Sequence, residues 1–191
     1  MSHKICVFCS SSDNIPVVYR KIAANLGKIM AEKNDILVFG GTSKGLMGSI
    51  ANAMHEGKGK IFGVIPSYMK SHTNYEFCDE YIFAEDPRIR KFKLDQLSDA
   101  FIALPGGFGT LDEIFELINM KMHGFHNKPI IFININSFFN NLKLHLEKIF
   151  AESFAKSEKK DLFYFAKNEL DAYKYLENNF ALYRASKFSK E

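Results

Sequence analysis

The chain has 191 residues, 47% of them hydrophobic and 25% charged, with a formal net charge of +3. This is the composition of an ordinary soluble globular protein, long enough to bury a full core in one domain, 1–191, and its charge is too small to argue for nucleic acid or a membrane surface as a partner. It contains no apolar run of the roughly eighteen residues that a membrane span needs, and Met1-Ser2-His3-Lys4 leads into Ile5-Cys6-Val7-Phe8 with no signal-peptide pattern, so the cytoplasm is the expected location.

In chain order, Ile5–Cys9 is a short apolar run of the kind that forms a buried strand, followed by a small polar turn, Ser10-Ser11-Ser12. The three cysteines, Cys6, Cys9 and Cys78, are an odd count with no disulfide scaffold, which fits reduced thiols. Cys6 and Cys9 have redox-motif spacing, but residues three apart on a strand face opposite sides, which argues against a shared redox or metal site. Helical spacing over Val17–Ala31 leads to a second strand, Ile36–Phe39, and then to Gly40-Gly41-Thr42-Ser43-Lys44-Gly45 before a helix over Leu46–His55. This turn is not a P-loop, because Lys44 precedes its glycine, and it is not the dinucleotide fingerprint, because residue 42 is threonine. Phosphate binding and a turn needing glycine for packing alone remain equally open there.

A third strand, Ile61–Ile65, precedes Pro66–Glu80, which is polar and aperiodic and reads as a surface loop and candidate lid. After a fourth strand, Tyr81–Phe83, Asp86-Pro87-Arg88-Ile89-Arg90-Lys91 opens a helix through Leu97, with Pro87 suited to the first helical position. Strand five, Phe101–Leu104, runs into Pro105-Gly106-Gly107-Phe108-Gly109-Thr110-Leu111-Asp112-Glu113, and helical spacing resumes over Leu111–Met122. Glycines at a strand-to-helix turn let a ligand approach the backbone, and the free N–H groups and dipole of the helix start favour a phosphate. Thr110 is placed to cap the helix or donate its hydroxyl. Glu113 and Glu116 share a helix face; a first-turn acid often only offsets the dipole, which accounts for Asp112 better than for Glu113 if an anion occupies the same helix end.

A sixth strand, Ile130–Ile133, a helix over Phe138–Phe150, an edge strand at Leu162–Phe165 and a last helix at Glu169–Asn178 complete the pattern, with fraying expected from Ser186. Strands alternating with helices imply an α/β fold: a doubly wound parallel sheet with helices on both faces, Rossmann-like, which binds ligands beyond the carboxyl ends of its strands where strand order reverses. All three polar turns fall at that end.

Pro105–Glu113, with Arg90-Lys91 ahead of it and Gly40-Gly41 and Gly45-Leu46-Met47-Gly48 upstream, resembles the Lonely Guy (LOG) family, the cytokinin riboside 5′-monophosphate phosphoribohydrolases, many members of which carry the label lysine decarboxylase. The likeness runs from about Ile5 to about Phe139 and includes His126-Asn127-Lys128-Pro129. It implies hydrolysis of the N-glycosidic bond of a nucleoside 5′-monophosphate, AMP or an N6-prenylated AMP, to free base and ribose 5-phosphate. Arg90 and Glu113 match the catalytic pair. Lys91, Gly107, Phe108, Gly109, Thr110, Leu111 and Asp112 match substrate-binding positions, with Ser11, Gly40, Gly41, Gly45 and Asn119 at the adjoining turns and helix. No cofactor or metal is implied, the partner is the small-molecule nucleotide, and the assembly is at least a homodimer, with a higher homo-oligomer as the alternative, in which the neighbouring subunit helps complete the site. The chain departs from the family pattern at Ser10 and Thr42, where glycine is usual, at Pro87 for methionine, and at Asn119 for threonine; for a glutamate in the 66–80 loop it offers Ser71-His72-Thr73, or Glu76 with a shift. A non-catalytic nucleotide or phospho-cofactor carrier is the alternative. A lysine decarboxylase would need pyridoxal phosphate on a lysine, and no lysine stands out for it.

Overall fold

In a computed structural model that describes residues 2–69, 75–156 and 161–188, seven parallel strands form one sheet in the order β4-β3-β2-β1-β5-β6-β7. They are β1 (Lys4–Phe8), β2 (Ile36–Phe39), β3 (Lys60–Pro66), β4 (Glu80–Ala84), β5 (Ala100–Ala103), β6 (Ile130–Ile133) and β7 (Tyr164–Ala166). Six α-helices connect or follow them: α1 (Val17–Glu32), α2 (Gly45–Glu56), α3 (Pro87–Leu97), α4 (Phe108–Met122), α5 (Asn140–Ala151) and α6 (Glu169–Phe188).

Strands β5 and β6 are buried at every position, because helices cover both faces of the sheet; this is why they read as unbroken apolar runs. Ile5, Val7 and Cys9 face the core formed with α1, α2 and α6, and Cys6 and Phe8 face the core under α3, α4 and α5. The two buried thiols therefore lie on opposite faces, and burial pushes both upward in pKa, so they stay protonated. Strand order reverses between β1 and β5, whose following loops turn to opposite faces and open a crevice at the carboxyl end of the sheet.

Three elements differ from the sequence expectation. Helix α4 begins at Phe108 with Gly107 as N-cap, so Thr110 is a buried first-turn residue and does not cap the helix; the apolar repeat marks the core-facing stripe and misses a first turn made of Phe108, Gly109 and Thr110. The 66–80 segment is not simply a surface loop. Strand β3 extends to Pro66, Ser67–Met69 is a 3-10 turn, and Tyr75 is only 3% exposed, packed edge-on against Phe39 with its N–H donated to Gly41 O at 2.7 Å. Ser71, His72 and Thr73 lie outside the described residues, and Glu76 is exposed. Helix α6 continues to Phe188 rather than ending near Asn178, since no glycine or proline interrupts Ala181–Phe188.

Candidate active site

The turn after β5 is built differently from the turn after β2. Helix α4 has no side-chain cap, and its first backbone hydrogen bond is Leu111 N–H to Gly107 O at 3.2 Å, so the N–H groups of Phe108, Gly109 and Thr110 precede the helical ladder. Gly107 and Gly109 are exposed, and a Cβ added at either would meet nothing within 4 Å. Glycine is therefore not demanded there by packing among the described residues. Gly106 differs, since its Cβ would fall 2.1 Å from Thr110 Oγ1, and Phe108 projects outward, 91% exposed. Beside Gly106 and Gly107, Ser10, Ile15, Tyr19 and Phe138 close a cleft of about 250 Å³ at the strand-order reversal.

Arg90, from the first turn of α3, is fixed at both ends of its guanidinium. Its Nε donates to Val64 O at 2.9 Å and its Nη1 donates to Glu113 Oε1 at 2.7 Å. Asp86 places the helix start by accepting from the N–H groups of Arg88 and Ile89. Gly40 is required below: a Cβ there would lie 2.6 Å from Arg90 Nη2. The side chains of Arg90 and Glu113 are 17% and 10% exposed. Burial raises the Glu113 pKa above the ordinary carboxylate range and the Arg90 charge pulls it back, leaving a net upward shift. A partly desolvated carboxylate held by a fixed cation, one helical turn from an uncapped helix start, is equipped to hold a phosphate and act on an atom a few ångströms away. Lys91 is engaged beside them, its ammonium 3.1 Å from Asp112 Oδ2 and also paired with Glu116, both of which hold it protonated.

The other sequence-predicted positions do not all join this pair. The start of α2 is occupied from within: Gly45 N–H donates to Asp13 Oδ1 at 3.0 Å and Leu46 N–H to Ser10 O at 2.9 Å. Gly45, at φ +59°, seats against the backbone of Ser10, Ser11 and Ser12 within 2.8 Å of where its Cβ would be, which is a packing role. Gly41, at φ +78°, passes over Ile65 and receives Tyr75 N–H. Ser11 is exposed at the rim, and Leu111 packs partly against the core under α4. Asn119 stands exposed about 9 Å along the α4 axis from Glu113. Sequence reasoning missed the Val64 carbonyl and the Asp13 cap. The first is backbone and carries no residue signal, and the second caps a helix 32 residues downstream, beyond any local pattern. A cavity of about 450 Å³ lies away from the motif, between α5 and β7 beside Leu146, Phe150 and Phe165.

The family model described as "Possible lysine decarboxylase" matches residues 47–176. The chain is 40% identical over 152 residues to the rice (Oryza sativa subsp. japonica) protein named "Probable cytokinin riboside 5'-monophosphate phosphoribohydrolase LOGL2". The chain belongs to the LOG family. That match covers 79% of this chain and 62% of the rice protein, so the chain spans less than two thirds of that relative's length. The LOG family member of Arabidopsis thaliana named cytokinin riboside 5'-monophosphate phosphoribohydrolase LOG5 is 36% identical over 178 residues, 90% of this chain and 78% of its own. Among solved structures, the molybdenum cofactor binding protein of Rippkaea orientalis superposes with a TM-score of 0.74 at 21% identity, covering 94% of this chain and 98% of that one. The molybdenum cofactor carrier protein of Chlamydomonas reinhardtii gives 0.72 at 20% identity, over 95% and 99%. At these identities the likeness speaks for the fold that the LOG family chain shares with them, and for that alone.

Proposed function

We propose that the protein hydrolyses the N-glycosidic bond of a nucleoside 5′-monophosphate, AMP or an N6-prenylated AMP, releasing free base and ribose 5-phosphate. The observation that carries this reading is the Arg90–Glu113 pair, 2.7 Å apart and largely buried, next to the uncapped start of α4 in a chain whose LOG family relatives bear that activity in their names. The N–H groups of Phe108, Gly109 and Thr110 hold the phosphate and fix the ribose, so that attack is confined to one carbon. As the base departs, positive charge develops on the ribose; the Glu113 carboxylate stabilises it and orients or deprotonates the attacking water. A guanidinium does not give up its proton in proteins, so Arg90 positions Glu113 and the nucleotide and is not the proton donor to the base. Lys91, bound to Asp112 and Glu116, supplies a cation at the phosphate end that can exchange a carboxylate for a phosphate oxygen. The assembly in this reading is a homodimer, whose second subunit covers the exposed Phe108 at the lip of the site.

Incubation with a panel of nucleoside 5′-monophosphates and N6-prenyl-AMP, reading out free base and ribose 5-phosphate, tests the reading. Nucleosides without the phosphate are expected to fail; if they react equally well, the phosphate cradle is refuted. Nucleotide binding with no turnover across the panel, and Glu113 replaceable at no cost to that binding, would mark a carrier instead.

A further inference from the structure

Helices α3 and α4 both start at the ligand end of the sheet and carry the two halves of the Arg90–Glu113 pair, but a cavity of about 150 Å³ lies between them, reaching down to Phe8 and bordered by Phe92, Asp95, Glu113 and Leu117. The ligand end of the cavity is closed by the ion pairs Arg90–Glu113 and Lys91–Asp112. Two residues that border it, Asp95 and Leu117, are held by the segment that enters β6. Lys128 Nζ donates to Asp95 of α3 twice, to the backbone O at 2.6 Å and to Oδ1 at 2.9 Å, and lies 5.4 Å from the centre of the Phe101 ring. Two residues earlier, His126 Nε2 lies 3.1 Å from Leu117 O of α4, and its Nδ1 accepts Lys128 N–H at 3.2 Å. That acceptor role assigns the ring proton to Nε2, which then donates to Leu117. One short segment thus binds both helices at once, about one helical turn from each member of the pair.

We propose that His126 and Lys128 are positioning residues: they bridge α3 and α4 across the cavity and set the separation of Arg90 and Glu113 independently of the bond between those two side chains. The need for such a bridge rests on the proposed hydrolysis. When a substrate ribose and a water compete for Glu113, the 2.7 Å contact can no longer hold the helices by itself, and a cavity rather than packed side chains lies directly below it. Both ends of the Lys128–Asp95 pair are about nine-tenths buried and joined by two hydrogen bonds, so the bridge is stiff.

Three variants test this. Lys128→Met with Asp95→Leu removes both charges together, so no buried charge is left unpaired, and His126→Leu removes the other arm while His126→Gln keeps a donor for Leu117 O. Exchange of the Arg90 Nε–H, followed by NMR, is expected to speed up about ten-fold or more in the first two, and kcat for AMP to fall about ten-fold at a KM within about two-fold of the unmodified protein, with His126→Gln close to normal. Arg90 Nε–H exchange unchanged in a variant that retains native sheet-amide protection overturns the bridge, whatever happens to turnover. Absence of turnover in the unmodified protein would instead refute the hydrolase reading, and the exchange measurement would still decide the bridge. Should the double variant fail to fold, His126→Leu and His126→Gln decide it by the same comparison.

Discussion

Replacing Glu113 by glutamine removes a charge and leaves the shape. Glutamine keeps an oxygen to accept the Arg90 Nη1 hydrogen bond, which is 2.7 Å long in the unmodified protein, so the α3–α4 contact and the nucleotide cradle stay in place. A unit positive charge developing about 4 Å from the carboxylate at an effective dielectric of about 20 gains roughly 4 kcal/mol. Arg90 already compensates part of that field, which lowers the expected contribution to about 3 kcal/mol, or about 10²-fold in kcat. The pH profile supplies a second signature. Burial raises the Glu113 pKa, so kcat of the unmodified protein is expected to decline with falling pH while still above the ordinary carboxylate range, as the carboxylate takes up its proton. In Glu113→Gln that acid limb disappears. Initial rates of adenine release from AMP, measured by chromatography across the acid and neutral range, check both. A variant with kcat within about three-fold of normal and an unchanged acid limb would refute the assignment of Glu113.

Three further outcomes are expected. Gly109→Ala adds a methyl group that meets nothing within 4 Å, in a helix where alanine is favoured over glycine by up to about 1 kcal/mol, so the melting temperature holds or rises; KM for AMP rises about ten-fold or more if the backbone there carries the phosphate, and an unchanged KM would remove Gly109 from the cradle. None of the three thiols is expected to react with iodoacetamide near pH 8 in the folded protein, since Cys6 and Cys9 are buried and burial pushes Cys78 up to about 12, whereas all three react after unfolding; mass spectrometry of native and denatured samples checks this. His126 is held down to about 4 by burial, against 6.5 when exposed, so its neutral form is favoured by folding: that contribution is complete above pH 6.5, is lost as pH falls toward 4 and amounts to about 3 kcal/mol. Urea unfolding of the unmodified protein and His126→Gln over that range compares the slopes, and equal slopes would contradict the shift.

How much was legible beforehand depends on the range of the interaction. The strands β2 and β6 coincide with their predicted spans because both are short apolar runs between clear punctuation, Asp35 and Gly40 for one, Pro129 and Asn134 for the other. The Gly-rich turn before α4 was likewise readable, as glycines at a strand-to-helix junction serve backbone approach whatever the rest of the fold does. The start of α4 and the anchoring of Tyr75 were not, because a first turn of exposed Phe108, exposed Gly109 and polar Thr110 leaves no apolar periodic mark and one buried tyrosine in a polar segment gives no period. Arg90 could be picked out as a candidate from its place ahead of the Gly-rich turn, but not its hold on Val64 O, which exists only because β3 and α3 are brought together by the sheet. The same applies to Gly45, whose positive φ and tight seat against Ser10–Ser12 turn a candidate ligand contact into a joint between two loops.

The strand order has a further consequence for how the molecule is made. Strand β1 is flanked by β2 on one side and by β5 on the other, and β5 lies 92 residues or more beyond the end of β1 in the chain, so one hydrogen-bonding edge of the innermost strand stays open until Ala100–Ala103 has been synthesised. An N-terminal piece ending before residue 100 would expose Ile5–Phe8 as a bare apolar edge, the kind of surface that pairs with other chains. Helix α3 has to cross from β4 back over the sheet before β5 can close that edge, and only then do Arg90 and Glu113 meet. Assembly of the Arg90–Glu113 pair is therefore a late, long-range event of folding, and nascent chains are most vulnerable to misassociation in the interval before it.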